Sequence, residues 1–242
     1  MQEELFTQSC RELDTEFNRL GQSETFRFLT SSKDAFRTDI PALILDKTPS
    51  PNPFGSNDPP YSCEQGSAYF VECWKQGVPA GQEKIQRRMR FFLRDLQNEL
   101  QIKMPADAFA VRGVLSAYYD PFRNGKGCKK FLSSFWGKIL DAIHPPLLFA
   151  FAQPAYAMLC AYFETEQSGK RLSPEERIAT QGNFSLKIRE ASHGTQTSLI
   201  VFIPSLSRYA YGLYEKLAGN IRKEAEKHMW ERIHTFLTIN HS

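Results

Sequence analysis

Apolar residues recur along this chain with two periods. Between residues 2 and 20, Leu5, Leu13, Phe17 and Leu20 fall at roughly helical spacing and Gly21 stops the run, which predicts an amphipathic N-terminal helix. A second, short helix is expected over 24–29. PALIL (41–45) is a compact apolar run after a proline and predicts a buried strand, and a helix is expected over 64–74, closed by Gly77 and Pro79. Residues 82–101 carry the clearest helical pattern: Ile85, Met89, Phe92, Leu96 and Leu100 repeat on one face, while Lys84, Arg87, Arg88, Arg90 and Arg94 fill the rest. FAVRGVLSAYY (109–119) predicts a strand ending at Asp120-Pro121, and FLSSFWGKILDAI (131–143) a helix stopped by His144-Pro145-Pro146. LLFAFA (147–152) predicts a fully apolar strand, followed by a helix over 155–163 and a polar loop over 164–182. FSLKIREA (183–190) alternates as a strand does, TSLIVFIP (197–204) predicts another buried strand, and 211–238 a long amphipathic helix.

Strand–helix units with apolar central strands call for a sheet covered on both faces. The expected architecture is a three-layer αβα fold with a mainly parallel, four- to five-stranded sheet. No linker separates the units, so one domain is expected over 1–242, with helical extensions at 1–38 and 211–238. A net charge of +3 is too mild to indicate nucleic acid by itself. The five cysteines (Cys10, Cys63, Cys73, Cys128, Cys160) include no C-x-x-C pair, which argues against zinc or iron–sulfur ligation and for a reducing, cytoplasmic setting. The acidic N-terminus does not read as a signal peptide, no apolar run approaches a membrane span, and a monomer is expected.

Ligands of open α/β sheets sit at the carboxyl ends of strands. Three strand-end loops would converge there: 46–62 with Asp46, Lys47, Asn52, Asp58 and Tyr61; 116–124 with Ser116, Tyr118, Tyr119, Asp120 and Arg123; and 203–208 with Ser205, Ser207 and Arg208. Carboxylates, aromatics and small hydroxyls in this arrangement suit a base or sugar held by stacking beside a phosphate held by hydroxyls and N–H groups. No Gly-rich turn follows any strand and no Gly-x-Ser-x-Gly occurs, so the P-loop, dinucleotide-binding and serine-hydrolase readings fall away.

The segment ALILDKTPSPNPFGSNDPPY resembles the first motif of the uracil-DNA glycosylase superfamily, in particular its single-strand-selective monofunctional branch, and IPSLSR is similar to the second motif. VLSAYYDPFRN resembles the strand end that reads the base, and LLFAFAQPAYAML the following strand and helix; the resemblance covers roughly 40–215. It implies a monofunctional DNA glycosylase that hydrolyses the N-glycosidic bond of a flipped base, on single- or double-stranded DNA, with no cofactor because water is the only co-reactant. The resemblance places Asp46, Asn52 or Asp58 at the sugar and water. Tyr61 would stack on the base, with Ser116, Tyr118 and Asp120 at its edge. Lys47, Arg123, Ser205, Ser207 and Arg208 would contact DNA. The chain departs from the family at Thr48, which stands where an activating Asp or Asn is expected, and it lacks the second-motif His and the uracil-reading Asn. Those departures point to a target other than uracil alone: a damaged base, or a modified cytosine of the kind phages carry, which would make this an antiviral defence enzyme. A non-catalytic nucleic-acid-binding module on the same fold is the alternative, since a binder needs none of those groups, and a third reading is an unrelated α/β hydrolase of small molecules, which a closed pocket without a basic rim would favour.

Overall fold

The computed structural model describes residues 2–22, 26–47, 60–122, 127–164, 169–181, 184–204 and 219–240. Along the chain these form α1 (Gln2–Arg19), β1 (Ala42–Asp46), α2 (Ala68–Val71), α3 (Lys84–Glu99), α4 (Ala106–Ala108), β2 (Leu115–Tyr118), α5 (Lys129–Ile143), β3 (Leu147–Ala150), α6 (Gln153–Phe163), β4 (Lys170–Leu172), β5 (Glu176–Gln181), β6 (Phe184–His193), β7 (Gln196–Phe202) and α7 (Gly219–Asn240). All seven strands join one mixed sheet of order β2-β1-β3-β7-β6-β4, with β5 also on β6. The first four are parallel, and β6 turns back antiparallel to β7. β5 and β4 lie end to end along the outer edge of β6, both antiparallel to it.

Side chains alternate across the parallel strands, and each face meets its own helices. Leu43 and Leu45, Leu148 and Ala150, and Ile200 and Phe202 face a core completed by Leu13 of α1, Trp136 of α5 and Leu159 of α6. Ala42 and Ile44, Leu147 and Phe149, and Leu199 and Val201 face a second core closed by Met89, Phe92 and Leu96 of α3 and by Met229, Ile233 and Phe236 of α7.

Several expectations need correcting. Residues 26–29 are not helical: Thr30 N–H donates to Ser116 O at 2.8 Å and Tyr118 N–H to Phe28 O at 3.0 Å, so this segment runs antiparallel along the outer edge of β2. That cover removes an exposed sheet edge, which would otherwise invite pairing with another chain. The run 109–119 is split, with a π-helical turn at Phe109–Gly113 before β2. Gly113 permits the turn, because a Cβ there would lie 2.4 Å from Cδ2 of the Phe109 ring. The polar stretch 164–182 contains β4 and β5, and the helix expected over 64–74 shrinks to the single turn of α2. Gln86, fully buried in α3, holds that turn by donating from Nε2 to the carbonyls of Ala68 (2.9 Å) and Glu72 (2.8 Å).

Candidate functional site at the carboxyl ends of the central strands

From β1 the chain crosses to β2 on one side, then returns past β1 to β3 and on to β7. The strand order therefore reverses between β1 and β3, and the carboxyl ends of those two strands form the topological switch point at which α/β sheets bind ligands. Asp46 is the last residue of β1, level with Tyr118 of β2. It follows Ile44 on the face of the second core, so the strand's own alternation turns the only acidic residue of β1 inward.

Asp46 is 4 % exposed. Its Oδ1 accepts the backbone N–H of Lys47 at 2.7 Å, and its Oδ2 accepts the hydroxyl of Tyr69 at 3.0 Å. Burial disfavours the charged form and pushes the carboxyl from an ordinary 3.8 up to about 6, although both hydrogen bonds pull it down. The Tyr69 hydroxyl is also within bonding reach of the Thr30 and Ser116 hydroxyls, and Thr30 donates to Ser116 Oγ at 2.8 Å. Burial raises both Tyr69 and Tyr118 well above the ordinary phenol value, and Asp46 nearby adds to it, so both phenols stay protonated. Beyond them the buried Arg27 pairs with Glu72 at 2.9 Å, and Glu72 also accepts the indole N–H of Trp74 at 2.9 Å. Beside β1, the end of β3 runs into α6, whose N-cap Ala152 supplies no side-chain cap. The amino end of that helix, the positive end of its dipole, therefore lies at the switch point, with Pro154 in its first turn.

The structure brings Asp46, Ser116 and Tyr118 into one buried cluster. Lys47 has its side chain in solvent. Asp120 holds its own loop: its carboxylate accepts N–H from Phe122 and Gly127, both at 3.1 Å, and partial burial raises its pKa. Tyr61 packs against the other core, edge-on to Phe26, and its hydroxyl donates to both oxygens of Asp14 in α1 at 2.6 and 2.7 Å. It is not brought together with Asp46. Asn52, Asp58, Arg123, Ser205, Ser207 and Arg208 lie outside the described residues. Sequence reasoning missed Arg27, Thr30, Tyr69 and Glu72. Arg27 lies in one segment expected to be helical (24–29) and Tyr69 and Glu72 in another (64–74), and the four residues meet only through non-local pairing.

Protein-family models, curated proteins and solved structures yield no match to this chain.

Proposed function

We propose that the protein is a monofunctional DNA glycosylase acting on a flipped, damaged or modified base, with Asp46 as the carboxylate at the sugar. The observation that carries this reading is a buried, weakly acidic carboxylate on the central strand at the topological switch point. A carboxylate there stabilises the positive charge that develops on the deoxyribose as the C1′–N bond breaks and its electron pair leaves with the base. Water then adds to C1′, and Asp46, ionised above about pH 6, accepts the proton that water releases. Tyr69 and the Lys47 N–H hold the two carboxylate oxygens in place, so the group does not reorganise during the step. The resemblance of the loop after β1 to a glycosylase motif supports DNA as the partner.

The test is an abasic-site assay on plain, uracil-containing and phage-derived modified DNA, with alkaline strand cleavage as readout. Breaks are expected on at least one base-altered substrate, rising with pH through about 6, and the Asp46→Asn protein should retain DNA binding and lose cleavage by a factor of about a hundred or more. The second reading, a DNA-binding module without catalysis, is favoured by the seating of Tyr61 against Asp14 rather than beside Asp46. It predicts DNA binding with no abasic sites on any substrate, and that outcome would replace the glycosylase.

A further inference from the structure

At the opposite end of the sheet, where β1 and β3 begin, a half-open cavity of about 660 Å³ is lined by both the β1 and β3 entry loops and by the ends of two helices. Its size is that of pockets which take a drug-sized ligand. Ile40, Leu100, Pro146 and Leu237 supply apolar walls. Among the described residues, its titratable lining groups are Asp39, Glu99 and His234. Glu99 is half-buried and accepts from Nδ1 of His234 at 2.7 Å, while Asp39 pairs with Arg37 at 2.9 Å.

The topology sets the sign of this cavity. In a parallel sheet the covering helices run antiparallel to the strands, so their carboxyl termini gather at the strand amino ends. Here α3 contributes Glu99 and Leu100 from its last turn, and α7 contributes His234, Leu237 and Thr238 from its last two turns. Helix carboxyl ends carry partial negative charge, and the Glu99 carboxylate adds to it, while Arg37 offsets Asp39. We propose that this cavity binds a small organic cation with an apolar body: its ammonium group meets the Glu99 carboxylate, and its hydrocarbon lies against Ile40, Leu100 and Leu237. The site is separate from the switch point and does not depend on the glycosylase reading.

Titration calorimetry on the full chain at pH 7.5 with benzylamine, benzyl alcohol and benzoate tests it. Saturable binding of benzylamine is expected, with benzyl alcohol weaker and benzoate not bound. Glu99→Gln, which keeps an acceptor for His234 and removes the charge, should weaken benzylamine about tenfold. Leu237→Trp should abolish binding by filling the cavity. Absence of benzylamine binding, equal binding of benzoate, or an unchanged affinity in Glu99→Gln would each overturn the proposal. The Glu99→Gln result stands on its own should Leu237→Trp fail to fold.

Discussion

At the scale of single residues, Asp46 makes the sharpest statement about pH. Its folded carboxyl titrates at about 6 against an ordinary 3.8, so between these values the folded protein holds a proton that the unfolded chain has released. The stability this group contributes is therefore fully present below pH 3.8 and is lost as pH rises through about 6. Above that pH the buried charge costs about 3 kcal/mol. Asp46→Asn keeps the shape and cannot ionise, so its stability should fall less than that of the wild type between pH 4.5 and pH 7.5. Urea midpoints at the two pH values measure this, and parallel pH dependences would show that Asp46 titrates normally. On the proposed glycosylase reading the same residue is the one whose loss silences base release, so one substitution is expected to stabilise the fold at neutral pH and to remove that activity.

At the scale of elements, α3 organises its face of the sheet. Its start is fixed by a capping box, in which Glu83 accepts the Ile85 N–H at 2.6 Å and Gln86 accepts the Glu83 N–H at 3.2 Å. Its apolar stripe then packs Phe92 edge-on against Phe149 and Phe151 of the β3 segment, with ring centroids 4.9 and 5.1 Å apart. Gln86 does a second task by satisfying the carbonyls around α2, which is too short to hold itself and which carries Tyr69. Gln86→Leu would leave the Ala68 and Glu72 carbonyls without this donor and should destabilise the protein by about 2 kcal/mol. It should also loosen Tyr69, visible as a broadened aromatic resonance in NMR spectra. A loss of stability below about 0.5 kcal/mol would show that α2 does not depend on α3 in this way.

At the scale of the whole molecule, the parallel half of the sheet is buried on both faces and the antiparallel half is not. β1, β2 and β3 are buried along their whole length, whereas β4 has no fully buried residue and lies at the sheet edge. Local opening is easiest where apolar burial is least. Hydrogen exchange should therefore find the amides of β1 and β3 opening only with global unfolding, and those of β4 exchanging at least about a hundredfold faster. Uniform protection across the sheet would contradict this ranking. The same division separates the two ends of the molecule. Strand carboxyl ends present Asp46 and the amino end of α6, and strand amino ends present the carboxyl termini of α3 and α7. One architecture thus sets helix amino ends at one edge of the sheet and helix carboxyl ends at the other.

The apolar period by itself determined α1, α3, α5 and α6 and the strands β1, β3 and β7. In each of these, burial on one or both faces is written into side chains that are neighbours in sequence. It also marked Asp46, Ser116 and Tyr118, because a strand end is visible where an apolar run stops. Only the tertiary structure decided that 28–31 pairs with β2, and that β4 and β5 extend β6. Those pairings rest on backbone hydrogen bonds, which any sequence can make and which leave no periodic trace. The apolar run from Phe109 was ambiguous for a different reason: a fully buried turn and a fully buried strand are equally hydrophobic, and the packing of Phe109 over Gly113 settles it. Tyr69, Thr30 and Arg27 reach the cluster from segments far apart in the chain. The environment that makes Asp46 a weak acid was therefore decided by contacts between segments, while its place at a strand end was legible in the sequence.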